Sequence, residues 1–260
     1  MAGMDAPLYP DSNDENVWAH WSRGNYGPGD WSGSHNDLAA GVDLYHTDHS
    51  RAGISVMHTN SSLDRTENLG EVSMKKKFTR VSLYGRHDFA GGLYAAGDVF
   101  AGGIRIKDTS LVDMSTRTAG VHAEVCVDVP AGRGTITPLV RAAYAGIRGF
   151  TTKDGEGFPF TMKESHYSSF SAGLKASLPL SPVSLLTAYA GWGIRTGYDI
   201  DGTMSDAWNT MDISESGKEH VKTLGIGYRC DVTPFARLSL SAAREFSSGL
   251  HDDWNFQVSA

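Results

Sequence analysis

The sequence predicts an all-β fold: a transmembrane antiparallel up-and-down β-barrel of about twelve strands. Three observations carry the prediction. Segments of alternating polarity recur from Val17 onward, short and long connections take turns between them, and helical periodicity is absent.

The segments run, in order, Val17–Gly24, Asp37–His46, Arg51–Asn60, Lys76–Asp88, Gly91–Ile104, Thr118–Val129, Thr135–Arg148, His166–Leu178, Val183–Arg195, His220–Val232, Ala236–Phe246 and Trp254–Ala260. Most hold about ten residues, the length a tilted strand needs to cross a bilayer. Successive side chains of a strand point to opposite faces, so alternating polarity gives one apolar and one polar face. Val121–Val129 is the clearest case, with apolar odd positions and His122, Glu124, Cys126 and Asp128 between them. Leu38, Ala40, Val42 and Leu44 oppose Ala39, Gly41, Asp43 and Tyr45 in the same way. Phe170, Ala172, Leu174, Ala176 and Leu178 likewise oppose Ser169, Ser171, Gly173, Lys175 and Ser177, and Trp254, Phe256 and Val258 oppose Asn255, Gln257 and Ser259. Gly91–Ile104 has ambiguous parity, compatible with a bulge.

The short connections are Thr47–His49, Phe89–Ala90, Pro130–Gly134, Pro179–Pro182 and Thr233–Phe235. The long ones are Asn25–Asn36, Ser61–Lys75, Lys107–Arg117, Gly149–Ser165, Thr196–Glu219 and Ser247–Asp253. An up-and-down barrel with tight periplasmic turns and longer extracellular loops produces this rhythm. A soluble barrel or jelly roll supplies similar strands, and parity alone does not tell inside from outside. Two features favour the membrane. The polar face is mostly Gly, Ala, Ser and Tyr, with isolated charges at Asp43, Arg80, Arg86, Asp98, Glu124, Arg141, Arg195 and Arg229, which suits a narrow lumen. Trp18, Trp21, Tyr45, Tyr144, Trp192, Tyr228 and Trp254 sit near segment ends, as interfacial aromatic girdles do. Val121, Ala123, Val125 and Val127 are then expected to face lipid, and His122, Glu124 and Asp128 the lumen. Glu124, Asp98 and Asp43 are expected to lie among the five arginines.

Composition narrows the function classes. The 260 residues, 30 of them Gly, suffice for one all-β domain. A net charge of -7, with no basic run beyond Lys75-Lys76-Lys77, argues against a nucleic-acid partner. No apolar stretch is long enough for a membrane helix. Cys126 and Cys230 lie on opposite strand faces in segments far apart and are expected to stay unbonded. Met1 is followed by Ala-Gly-Met-Asp-Ala-Pro, without the basic and apolar regions of an export signal, so the barrel reading predicts a longer parent protein.

Catalytic and metal readings are weak. Ser34, His35, Asn36 and Asp37 fall at a loop end, and His46, Asp48 and His49 at a turn. Neighbours on a strand point to opposite faces, so Ser34 and His35 are poorly placed for a nucleophile–base pair. Two histidines at a turn are too few for a metal site. Asp199-Ile200-Asp201-Gly202 and Gly102-Gly103 complete no calcium or phosphate loop. The expectation is no catalytic residues, no cofactor and no metal.

Several segments together resemble the translocator β-domain of classical autotransporters, the type V secretion family. Val17-Trp18-Ala19-His20-Trp21-Ser22-Arg23-Gly24 resembles its first strand, Ala40-Gly41-Val42-Asp43 its second, Arg51-Ala52-Gly53-Ile54-Ser55-Val56 its third and Val81-Ser82-Leu83-Tyr84-Gly85 its fourth. Glu124, Pro138 and Leu224-Gly225-Ile226-Gly227-Tyr228 also fit, in order and spacing. The resemblance implies a Gram-negative outer-membrane barrel that anchors an N-terminal passenger and takes part in its export. Its implied partners are membrane lipid, the barrel-assembly machinery and the covalently linked passenger. Residues 1–16, with Pro7, Pro10 and the Asp11-Ser12-Asn13-Asp14-Glu15 run, are expected to be a flexible leader or linker remnant, and 17–260 the barrel. Members end in a strand closed by a terminal aromatic. Phe256, Val258 and Ala260 keep that parity, which predicts that the natural chain runs about two residues further. The alternative expectation is a stand-alone outer-membrane channel or adhesin whose surface loops form the binding site.

Overall fold

The computed structural model describes residues 16–26, 31–67, 70–108, 113–153, 159–197, 200–205, 210–215, 217–233, 236–247 and 252–259. The expected leader, residues 1–15 of it, lies outside these, and so does the side chain of Trp254.

Twelve antiparallel strands close on themselves. They are β1 (Val17–Tyr26), β2 (Trp31–His46), β3 (Ser50–Glu67), β4 (Gly70–Asp88), β5 (Leu93–Asp108), β6 (Asp113–Val127), β7 (Gly134–Ile147), β8 (Ser165–Ser181), β9 (Ser184–Thr196), β10 (Lys218–Thr233), β11 (Ala236–Ser247) and β12 (Asp252–Ser259). Each pairs with the next, and β12 pairs with β1 from His20↔Ser259 to Asn25↔Trp254. Closure pairs the two terminal strands along His20–Asn25 and so takes that edge out of lipid, where an unpaired backbone group costs several kcal/mol (order of magnitude). Directly paired residues climb the wall: His20, Ala39, Met57, Arg80, Gly102, Thr118 and Ile147 form one line from low on β1 to the top of β7. The strands are therefore tilted, as barrel closure requires.

The apolar faces point outward. Val121 is 42% and Val125 49% exposed, whereas Glu124 between them is 6% exposed. Leu83, Val99, Phe170, Leu174, Leu224 and Ile226 continue this exposed apolar belt around the barrel. A soluble barrel would bury that face, so the belt is the lipid contact.

Five sequence expectations change. Trp18 points into the lumen and is buried, while Trp21, of opposite parity, faces out; only the latter can serve in a girdle. Gly91 leaves the strand for a 3-10 turn, Ala90–Gly92, in which Gly91 and Gly92 both take positive φ. The β5 ladder shows no bulge. Its parity is ambiguous because the inward face carries Tyr94, Phe100 and Ile104, making both faces apolar. The register shifts lie instead at Asp43/Tyr45, Pro179/Ser181 and Asp231/Thr233, each beside a short turn. Asp128 follows the end of β6 and is exposed, its carboxylate accepting from Thr137 Oγ1 at 2.5 Å.

The fifth change is the long connections, which are largely strand. The β3–β4 ladder runs unbroken from Ser50↔His87 to Glu67↔Gly70, through residues 61–75. Within the β7–β8 connection, Phe150–Lys153 pairs with Pro159–Met162. Within the β9–β10 connection, Ile200–Ser205 pairs with Thr210–Glu215. Phe160–Met162 then joins Gly202–Met204, so the two hairpins make one four-stranded sheet. Alternation is a signal only where one face meets lipid; in the overhang above the belt both faces tolerate polar residues, and the signal fades.

Candidate functional site

The inward faces of the strands build the lumen, and it has two unlike walls. On β1–β6, large side chains fill the space. Trp18, Met57, Phe78, Tyr84, Phe100 and Ile104 pack together, joined by Tyr167 of β8. Trp18 Nε1–H donates to the Tyr84 hydroxyl (3.1 Å), which donates in turn to Asp43 Oδ1 (2.5 Å). Gly41 makes this possible, because a Cβ there would lie 2.5 Å from the Trp18 ring. On β9–β12, where Tyr189, Arg195, Arg229, Arg237 and Glu245 are the large inward residues, many others are small or slender, among them Thr187, Gly191, Gly193, Thr223, Gly225, Gly227, Ser239, Ser241, Ala243, Asn255, Gln257 and Ser259. The space they leave belongs to a cavity of about 690 Å³ that reaches across to His122, Glu124 and Arg141.

The eight charges named from the sequence take these places. Arg80, Asp98 and Glu124 are buried, and Asp43, Arg86, Arg141, Arg195 and Arg229 share the inward parity of their strands. Glu124 accepts from Arg141 Nε, and Arg141 also lies over the Tyr189 ring at 5.5 Å. Asp98 meets His122 Nδ1 (2.9 Å), and the His122 ring stacks on Phe100 at 5.2 Å. The Arg80 guanidinium lies 4.9 Å from the Phe100 centroid. Arg86 Nε donates to Asp88 (2.8 Å), with its guanidinium 4.0 Å from the Tyr94 ring. Arg195 binds Glu245 through both terminal nitrogens. Asp43 has Tyr84 and His46 (3.4 Å) beside it, and Arg229 lines the cavity.

Of the expected arginine–carboxylate pairings, the lumen thus brings together Glu124 with Arg141. The other acids meet His122 and Tyr84, while Arg86 and Arg195 meet Asp88 and Glu245, which parity alone did not single out. Glu124, Asp98 and Asp43 each have a polar partner, as buried charges require. Cys126 is buried on the lumen side and Cys230 half-buried on the outward parity; both thiols are free.

Ser22 is a further residue that sequence reasoning missed. Its hydroxyl donates to Asp37 Oδ2 (2.8 Å), and His35 Nε2 lies 3.7 Å from the same oxygen. The three residue types of a hydrolytic triad therefore meet, in the wrong order. A triad needs the imidazole between hydroxyl and carboxylate, and here the carboxylate is in the middle. Ser34 bonds Ser62 instead, at 3.3 Å. Among the described residues no three His, Cys, Asp or Glu side chains gather into a metal-holding group.

The model of the autotransporter beta-domain family matches residues 16–243. Among solved structures, the β domain of the Bordetella autotransporter BrkA superimposes with a TM-score of 0.70 at 15% identity, covering 94% of this chain and 96% of that one. The transport unit of AIDA-I from Escherichia coli gives 0.73 at 15% identity, over 97% and 91%. The translocator domain of NalP from Neisseria meningitidis gives 0.66 at 16% identity, over 96% and 88%. No curated protein sequence matches.

Proposed function

The chain belongs to the autotransporter β-domain family, and from that premise we propose that its passenger segment crosses the lumen along the wall of small residues on β9–β12. The protein is an outer-membrane barrel that anchors an N-terminal passenger and takes part in its export to the cell surface. The observation that supports the route is the asymmetry of the lumen: Trp18, Met57, Phe78, Tyr84, Phe100 and Ile104 pack together on one side, and a run of Gly, Ser, Thr and Ala on β10 and β11 lines the cavity on the other.

Before closure, β1 and β12 each expose backbone donors and acceptors that lipid cannot satisfy. Among the described residues their seam runs from His20 to Asn25, and the barrel-assembly machinery is the proposed partner that shields both edges until they meet. In this reading the chain has no nucleic-acid partner and no reaction of its own. The net charge of -7 supports the first, and the central place of Asp37 between Ser22 and His35 supports the second.

Gly225→Trp tests the route. A Cβ there lies 3.4 Å from that of Ala243, ordinary contact, so the added bulk goes into the lumen. With a reporter passenger fused upstream, the variant is expected to assemble as a heat-modifiable barrel while surface display falls about ten-fold, equivalent to about 1.4 kcal/mol. Undiminished display from an assembled variant would contradict the route.

A further inference from the structure

On the outward face of β4–β7, just above the apolar belt, six cations lie side by side: Lys75, Lys77, Arg105, Lys107, Arg117 and Arg148. All six are exposed. The ladders set Lys75 directly opposite Lys107 and Lys77 directly opposite Arg105, and Arg148 N–H donates to Arg117 O (2.9 Å). Like charges directly opposite on one face repel and destabilise a sheet, so an anion beside them relieves the repulsion. Asp113 supplies part of it, accepting from Arg105 Nη2 (2.7 Å) and Lys107 Nζ (3.0 Å). Asp64 lies at the edge, diagonal to Lys75. The patch keeps a large positive excess on a chain whose net charge is -7.

Position says which anion suits the patch. Below the patch the outward residues turn apolar: Val81 and Leu83 on β4, beneath Thr79, Val99 on β5, and Val121 and Val125 on β6. A barrel's apolar band is about 25 Å tall, and the tilted chain from Ala119 on β6 to Val129 just past its end covers roughly that height, so Arg117 sits at the headgroup level of the outer leaflet. Tyr144, outward on β7 and opposite Val121, marks the same boundary. We propose that this patch binds the phosphorylated sugar headgroup of an outer-leaflet glycolipid of the lipid A type, whose acyl chains lie along the belt below. Arginine and lysine together supply both bidentate and point-charge contacts to phosphate. The inference rests on the outer-membrane placement and is independent of any passenger.

The full chain, folded in detergent, is titrated with bisphosphorylated lipid A, with the same lipid stripped of both phosphates, and with inorganic phosphate; bound lipid is read by native mass spectrometry. The expected result is saturable binding of lipid A, weakened at least ten-fold by removing the phosphates or by the joint variant Lys75→Gln, Lys77→Gln, Arg105→Gln, Arg117→Gln. Arg23→Gln with Lys222→Gln, cations outside the patch, is expected to leave binding unchanged. Asp113→Asn is expected to tighten binding two- to three-fold. Equal binding of the dephosphorylated lipid would overturn the proposal without need of any variant. So would an equal loss in the control variant, or full competition by inorganic phosphate, which would make the patch a simple anion site.

Discussion

The two walls of the lumen share one exterior and differ inside. Leu83 and Val99 outside the packed wall are 59% and 53% exposed, and Leu224 and Ile226 outside the open wall 55% and 57%. Inside, Met57, Phe78 and Arg80 are 2%, 0% and 0% exposed, whereas on β9–β12 Gly, Ser, Thr and Ala are common among the lining residues, with the Tyr189 ring beside them. Lipid and backbone pairing thus impose the same demands all around the ring, and neither dictates what the inward side chains must be. One wall uses that freedom for a packed aromatic and charged core, the other for space.

Truncation should separate the walls most sharply. Phe78→Ala on the packed wall is expected to lower stability by about 3–5 kcal/mol, as for a buried aromatic leaving a cavity. Ser241→Ala on the open wall should stay within about 0.5 kcal/mol. Denaturant unfolding of the barrel in lipid vesicles compares them, and equal losses would erase the distinction. The exterior should show no such contrast: Val125→Arg and Ile226→Arg are each expected to cost about 2–4 kcal/mol near the bilayer midplane. A large gap between those two would mean that lipid does not surround both walls.

The Glu124–Arg141 pair bridges the two environments. Glu124 is 7% exposed and Arg141 39% at the side chain, so water in the cavity reaches one partner. Removing a partner from a fully buried pair costs about 3–5 kcal/mol, and this exposure brings the expected effect of Glu124→Ala nearer to about 2 kcal/mol. An unchanged unfolding midpoint would assign both charges to open water. The smallest effect belongs to Asp113, in the overhang above the belt. Hydrogen bonds from Arg105 first and Lys107 second hold its carboxyl well below the usual carboxylate range. A depressed carboxyl stabilises the fold above its unfolded pKa, about 4, and loses that contribution as pH falls through its folded value. Asp113→Asn should therefore shift the unfolding midpoint slightly and equally at pH 7 and pH 5, with the difference shrinking below about pH 4. A difference that grew on acidification would contradict the bonding seen at Asp113.

How much of this was legible in the sequence follows from which face meets lipid. Val121–Val127 and Phe170–Leu178 declared themselves because a greasy exterior alternates with a polar interior. The β5 strand blurred because Tyr94, Phe100 and Ile104 make its interior apolar as well. Trp18 departs from the girdle for a related reason: it sits near a segment end, but its odd separation from Trp21 puts the two rings on opposite faces. The overhangs of β3 and β4 were invisible, since polar residues on both faces look like loop. Parity told which way Glu124 or Asp98 points but not which partner it meets. His122 beside Asp98, Glu245 beside Arg195 and Ser22 beside Asp37 depend on the register of different strands, which spacing within one strand does not encode.

The passage route is tested most directly by placing a photo-crosslinking residue in turn at Thr223 and Ser241 on the open wall, and at Ser55 and Ser82 on the packed wall. The passenger is stalled in mid-export by a folded reporter. Crosslinks from Thr223 and Ser241 to the passenger, with none from Ser55 and Ser82, are the predicted result. Crosslinks of equal yield from both walls, or from the packed wall alone, would contradict the account.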